Sequence, residues 1–299
     1  MKYDIVIAHR VCPALSKTAV GFDEKRSMVV ATTESLAESL KGLMVRLIVI
    51  LDGCPGYDKI FTDAFGANPS VKLEIENTDA IGNQATWGRQ LELLCNVTDS
   101  KYVYFSEDDY IYHPDAFRAM LDFAKCEDVD FVTPLDHPDR YTGRLEKPTP
   151  SAIRVSEFRH WREVSSSCLT FLAKAKIVSE CKSIMESFLH SPEEATMWLG
   201  ITKHEIFRFG ALFKAAFRYF ILRRKCGFGE LMGLCTWKRQ GLKLLTKPRR
   251  RLFSPIPSLA VHLANCSLPP GSGNMLKRYF SLEKMVEIQE LERKVLSAI

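Results

Sequence analysis

Long hydrophobic runs, closely spaced cysteine pairs and a strong charge of either sign are all missing from this 299-residue chain. The most apolar late stretch, Phe209 to Leu222, is interrupted by Lys214 and Arg218 and is too short to cross a bilayer. No leader-like apolar region follows Met1-Lys2-Tyr3-Asp4, which runs straight into the short strand-like Ile5 to Ala8, so a secretory signal is not expected. The nine cysteines are odd in number and none is spaced C-x-x-C, which argues against a disulfide framework or a zinc ribbon. Reduced thiols in a cytoplasmic protein are the expectation. The sequons Asn96-Val97-Thr98 and Asn265-Cys266-Ser267 are then incidental. With 16 glycines, 14 prolines and no internal repeat, collagen-like and low-complexity classes are excluded.

What is present is ordinary globular material: 46% hydrophobic, 10% aromatic and 26% charged residues, enough for a full core. The net charge of +5 hides an uneven distribution. Between Lys203 and Arg251 lie 14 Lys or Arg and two acids, Glu205 and Glu230, leaving 27 basic and 34 acidic residues elsewhere. An acidic body therefore carries a basic segment. That segment is too local to make the chain a nucleic-acid binder, and its aromatics (Phe217, Tyr219, Phe220, Trp237) lack the spacing of a known binding module. Two readings remain for it: a solvated helical face, or attachment to an anionic membrane surface through residues 209–251. The solvated face is the default; the second rests on Phe209 to Lys225, which pairs an apolar face with Lys214, Arg218, Arg223, Arg224 and Lys225.

Strand and helix signals alternate through the first half. Strands are predicted at Tyr3–Ala8, Val45–Leu51, Val71–Ile75, Tyr102–Phe105 and Val129–Thr133. Helices are predicted at Met28–Leu40, Tyr57–Phe65, Thr86–Cys95 and Asp115–Lys125. Such alternation implies an α/β protein with a mainly parallel sheet covered on both faces, and ligands gather at the carboxyl ends of such strands. Further on, Arg140–Glu157 reads as a loop, Ser165–Leu172 as a strand, Lys174–Phe188 as a helix and Ser254–Pro257 as a Pro-rich loop. Leu282–Val295 reads as an amphipathic C-terminal helix.

Tyr102-Val103-Tyr104-Phe105-Ser106-Glu107-Asp108-Asp109-Tyr110 carries the strongest chemical signal. Three consecutive carboxylates at the end of a buried strand repel one another, and a divalent cation with a diphosphate would relieve that repulsion. A solvated acidic turn ahead of the next helix is the alternative. A phosphatase of the D-x-D-x-T/V type is excluded because Tyr110 and Ile111 follow Asp109.

The order of strand, Asp52, Gly82-Asn83, then strand plus Glu107-Asp108-Asp109 resembles the family 2 glycosyltransferases with the GT-A fold, over roughly residues 3 to 115. The resemblance implies a nucleotide-diphosphate sugar donor, a glycan or lipid-linked glycan acceptor, and manganese or magnesium as cofactor. It places His9, Arg10 and Pro13 in the base and ribose loop, Asp52 on the base and Asn83 on the nucleotide. Glu107 and Asp109 take the two D-x-D positions, with Asp108 beside the donor and Asp109 the direct metal ligand. Two departures stand out: Glu107 replaces the first Asp of the motif, and Gln84 stands where an Arg often follows the Asn.

An inverting transfer needs a base for the acceptor hydroxyl. Glu193-Glu194, with Glu194 85 residues after Asp109, falls where the family carries its Glu-Asp pair, so Glu194 takes the base position. Ser191-Pro192-Glu193-Glu194 also reads as a helix capping box, and Asp136 is the rival base. Trp161 and Arg162 could form a sugar platform and phosphate clamp at the acceptor, or pack into the core. His262 is similar in position to a late histidine that completes the metal site in some GT-A enzymes, and would favour manganese over calcium. The expected division is a catalytic domain over 1–202, with halves at 1–115 and 116–202. A basic helical extension follows over 203–299, with a loop returning to the active site. Against this glycosyltransferase stand a sugar-phosphate nucleotidyltransferase, disfavoured because Ala8 to Pro13 holds no glycine, and an inactive carbohydrate-binding or membrane-associated scaffold.

Overall fold

The protein is described by a computed structural model covering residues 1–15, 20–142, 151–157, 159–190, 193–221, 227–263 and 268–296. The chain begins with β1 (Ile5–Val11), α1 (Lys25–Ser39), β2 (Val45–Asp52), α2 (Asp58–Phe65), β3 (Val71–Thr78), α3 (Asn83–Cys95) and β4 (Tyr102–Glu107). It continues through β5 (Tyr110–Tyr112), α4 (Ala116–Phe123), β6 (Phe131–Val132), α5 (Asp139–Thr142), β7 (Ile153–Val155), β8 (His160–Val164), β9 (Phe171–Lys174) and α6 (Ala175–Met185). The last third holds α7 (Ala195–Thr202), α8 (Phe209–Ala216), α9 (Phe228–Gln240), α10 (Lys243–Thr246), β10 (Leu252–Ile256), β11 (Ala260–His262), α11 (Ser272–Leu276) and α12 (Leu282–Leu296).

Nine strands form one sheet in the order β3-β2-β1-β4-β9-β6-β10-β8-β7. The block β3-β2-β1-β4 is parallel throughout, while β9 and β8 run against their neighbours. The expected α/β class, a mainly parallel sheet flanked by helices, is what the chain forms. Every residue of β1 is buried, as a strand covered on both faces requires. Alternation along the strands divides the core. Ile5, Ile7, Leu47, Val49 and Tyr104 face Val29, Leu36, Phe61 and Phe117, from α1, α2 and α4. Val6, Ala8, Ile48, Val103 and Phe105 face Trp87, Leu91, Val178 and Trp198, from α3, α6 and α7.

Several expectations are corrected. Ser165–Leu172 is not one strand: β8 ends at Val164 and β9 begins at Phe171. Ser254-Pro255 is not loop but lies inside β10. Proline is tolerated there because β6 pairs only with Leu252 and Phe253, so Pro255 has a strand partner on one side alone. β10 sits between β6 and β8, so the division at 202/203 does not separate sheet from extension: the chain returns to complete the sheet. Residues 143–150 of the expected loop 140–157 lie outside the described residues, and its described part is not all loop, since it holds the end of α5 and the strand β7. The pair Ser191-Pro192, residues 222–226 of the basic segment and the sequon Asn265-Cys266-Ser267 also lie outside the described residues. The seven described cysteines are all free thiols.

A second sheet of two strands, β5 with β11, lies at one end of the large one and pairs His262 with Tyr110 and Ala260 with Tyr112. It is covered by a separate apolar cluster that includes Val20, Met28, Ile111, Val261, Leu276, Met285 and Ile288, which is how the C-terminal helices reach α1. Among the described residues no helix is long and apolar enough to cross a membrane.

Candidate active site

The sheet order reverses at β1. The chain leaves β1 for β2 and β3 on one side, and β4 lies on the other. In parallel sheets the crevice outside the carboxyl ends of the two strands at such a switch point is where ligands bind. Arg10, near the end of β1, and Glu107, the last residue of β4, are register partners there. Their side chains form an ion pair at 2.5 Å. Arg10 also donates to the carbonyl and side-chain oxygens of Asn83, at 2.9 and 2.6 Å, so one guanidinium joins β1, β4 and the first residue of α3. The planar fork of arginine suits such bridging.

Asp52, ending β2, accepts hydrogen bonds from the Thr78 hydroxyl (2.8 Å) and the backbone N–H groups of Ile81 (2.6 Å) and Gly82 (2.9 Å). It therefore shapes the loop leading into α3. That loop uses positive φ at Ala80 (52°) and Gly82 (89°), and residues Ile81 to Ala85 at the start of α3 are exposed. An exposed helix start favours anions.

Each of the three consecutive acids has its own cationic partner. Glu107 meets Arg10, and also accepts from the Thr170 hydroxyl at 3.1 Å. Asp108 turns away from the crevice to Lys25 at 2.7 Å and accepts the Cys12 N–H at 2.9 Å. Asp109 lies 3.1 Å from His262 Nε2. The repulsion that the sequence suggests is thus relieved from within the chain, and the cluster does not by itself require a metal. Burial raises Asp108 to about 6 even against Lys25. Burial, the largest single influence, works against the charged forms of Asp109 and His262, but Asp109 is lowered by His262 together with Lys25 and Arg10, and His262 is raised by Asp109 together with Cys168. His262 is positioned by Tyr110, whose ring stacks on it at 4.6 Å and 8°.

Among the described residues no three His, Cys, Asp or Glu side chains are grouped to hold a metal ion. Asp109 Oδ1 is nevertheless buried with no hydrogen-bond partner, beside an imidazole nitrogen. With the proton on Nε2 displaced, His262 would offer a nitrogen beside that oxygen, a pair that fits a divalent cation whose other ligands are water or phosphate oxygens. Both oxygens of Glu107 are already engaged, so Asp109 and His262 are the pair that fits.

Glu194 immediately precedes α7, and its carbonyl accepts the first bonds of the helix, from Met197 and Trp198. Its side chain makes no capping hydrogen bond. The capping-box reading is corrected, because α7 starts at Ala195 rather than near Pro192. Burial raises the Glu194 carboxyl to about 7. Glu107 adds to the rise, and His262 and Arg10 oppose it, so the carboxyl is electrically part of the same crevice.

The remaining expected residues fall elsewhere. His9 is buried; burial first, then Lys25, lowers it to about 3, and it is paired with Ser106 at 2.8 Å. Its neutral ring packs toward Phe61 of α2 and not toward an open loop. Asp136 is held by Arg162 at 2.6 Å and by the Tyr141 hydroxyl, and its neighbour His137 is lowered to about 4 by burial and Arg140. Both oxygens of Asp136 are therefore already engaged within the chain. Trp161 is corrected outright: it is 0% exposed and stacks on Phe123 at 4.4 Å and 3°, so it offers no face to an acceptor. Arg162 is partly buried against Asp136 and the Tyr141 ring. Lys25 went unrecognised, although its spacing to Met28, Val29, Thr32 and Leu36 puts a lysine on the buried face of α1, a signal that it needs an acid partner. Thr170 carried no signal of its own.

The site that results is a crevice at a parallel-sheet switch point, lined by acids and their cations, in an α/β protein. No family model and no curated protein matches the chain. Solved structures similar to it include the galactosyltransferase LgtC in complex with donor and acceptor sugar analogues (12% identity, TM-score 0.37, covering 66% of this chain and 69% of that one). Others are S. aureus TarS residues 1–349 (11%, 0.40, 66% and 54%) and 4-diphosphocytidyl-2C-methyl-D-erythritol synthase (11%, 0.34, 66% and 84%).

Proposed function

We propose that the chain is a metal-dependent glycosyltransferase that moves a sugar from a nucleotide diphosphate to a hydroxyl of a glycan or lipid-linked glycan, with inversion. The observation that carries this reading is the Glu194 carboxyl ahead of α7, which burial raises to about 7 and which feels the charges of Glu107, His262 and Arg10. A base poised near neutral pH is half ionised and still able to draw a proton from a hydroxyl. Asp136, the rival, is already held by Arg162 and Tyr141.

In this reading the exposed start of α3 and the guanidinium of Arg10 receive the diphosphate, and Asp52 keeps the loop between β3 and α3 in shape for it. Asp109 and His262 would hold manganese or magnesium, with Glu107 alongside. When bound, that ion supplies positive charge to the departing diphosphate. Glu194 removes the proton of the incoming hydroxyl. Asp108, paired with Lys25, braces the strand end and takes no part in the chemistry. The acceptor is received by elements other than Trp161.

The test is a thermal-shift screen with UDP, GDP, CDP and dTDP, each with and without manganese. A ligand that binds only the folded state raises the melting temperature by mass action. One nucleotide is expected to act, only with metal, and Asp109→Ala is expected to abolish the shift. No shift with any nucleotide in the wild type would overturn the reading.

A further inference from the structure

We infer that α8 docks the protein onto an anionic lipid surface, a property independent of the transferase reading. Leu212 and Ala215 bury one side of this helix, and Leu212 lies against Gly233 of α9, where even a Cβ would meet it at 2.9 Å. The opposite side is also apolar. Phe209 (58% exposed), Phe213 (73%), Phe217 and Ile221 (65%) recur every four residues through α8 and the wider turn that continues it over Phe217–Ile221. With Phe207 these are all the exposed phenylalanines among the described residues. A helix that is hydrophobic all round is normally buried in something.

Charge identifies the cover. Lys214 and Arg218 follow Phe213 and Phe217 on the helix and so flank the apolar row, and neither has an ion pair among the described residues; nor do Lys238 and Arg239 at the end of α9. The rest of the basic segment behaves differently. Arg249, Arg250 and Arg251 are taken up by Asp128, Asp130, Glu163 and Glu180 of the body. The docking surface is therefore narrower than 209–251 and centred on α8 and the end of α9. Long basic side chains beside aromatic and aliphatic ones are what an interface of anionic headgroups and acyl chains accepts. The docked face also stays in register with the site. Gln240 of α9 donates to the Thr196 carbonyl at 2.8 Å, two residues from Glu194, so α9 connects the docked face to the helix that follows Glu194.

The full chain should co-sediment with vesicles of phosphatidylcholine containing 30% phosphatidylglycerol at least tenfold more strongly than with phosphatidylcholine alone, and less strongly as salt is raised. Phe213→Ser with Ile221→Ser should weaken binding at least tenfold. Lys214→Glu with Arg218→Glu should do the same, at about fivefold or more for each charge. All four side chains are exposed, so the variants should melt as the wild type does and keep any nucleotide-induced shift. Equal binding to neutral and anionic vesicles, or binding untouched by both double variants, would overturn the inference. So would a concentration-dependent dimer in sedimentation velocity that the Phe213→Ser and Ile221→Ser pair dissolves, since a second copy would then be what covers the row.

Discussion

Replacing Glu194 by glutamine should make the protein more stable at alkaline pH while removing its proposed base. The folded-state carboxyl titrates at about 7 against an ordinary value of 4.5, chiefly because it is buried. Below pH 4.5 the group is protonated in both the folded and unfolded chain and contributes nothing. Between 4.5 and 7 the unfolded chain ionises while the native one holds its proton, so stability falls as pH rises, and above 7 the loss is complete. Each tenfold difference in proton affinity is worth about 1.4 kcal/mol, which sets an upper bound of about 3 kcal/mol; water at the partly exposed carboxyl reduces this to about 2 kcal/mol. Glutamine keeps the shape and cannot ionise. The melting temperature of Glu194→Gln relative to wild type should therefore climb by roughly 4–8 °C between pH 4.5 and pH 8.5. The pH-independent cost of the amide cancels in that comparison. Over the same range turnover by the variant should be roughly 100- to 10,000-fold lower, and the wild type should lose activity below about pH 7 as the base protonates. A melting difference that stays flat from pH 4.5 to 8.5 would refute the burial argument, whatever happens to activity.

Two further predictions concern stability. Lys25→Met leaves Asp108 buried without its cation, which should cost about 3–5 kcal/mol in urea denaturation at pH 8. The cost should shrink at pH 5, where Asp108, already raised to about 6, takes up a proton; a loss under 1 kcal/mol at pH 8 would show that the pair is not what holds the strand end. Trp161→Ala should cost about 3–5 kcal/mol through the cavity left against Phe123. Trp161→Phe should leave acceptor KM unchanged, and a large rise in KM with little loss of stability would restore the acceptor-platform expectation.

The first half of the fold was legible because buried parallel strands read as continuous β-branched and aromatic runs, and the helices between them carry their own spacing. Val45–Leu51 and Tyr102–Phe105 were placed to within two residues at their ends. β10 was not legible: its Ser-Pro sequence reads locally as a turn, and only the missing second partner beyond Phe253 makes a strand there possible. Trp161 could not be told from a sugar platform, because an aromatic next to an arginine looks the same whether its ring faces Phe123 or solvent. Glu194 was singled out with two readings open, and the start of α7 at Ala195 removed the cap.

Composition and pattern by themselves determined that this chain forms a helix-flanked, mainly parallel sheet and that acids gather at the ends of β2 and β4. Those are local properties of runs a few residues long. Only the tertiary structure decided which cation answers each acid, because the partners come from far away in sequence: Arg10 and Glu107 are 97 residues apart, and His262 and Asp109 are 153 apart. Pairing β11 with β5 brings that histidine to that aspartate, and burial together with the charge of Glu107 raises the proton affinity of Glu194. Burial and long-range charge are properties of the assembled fold, and no local stretch of sequence contains them.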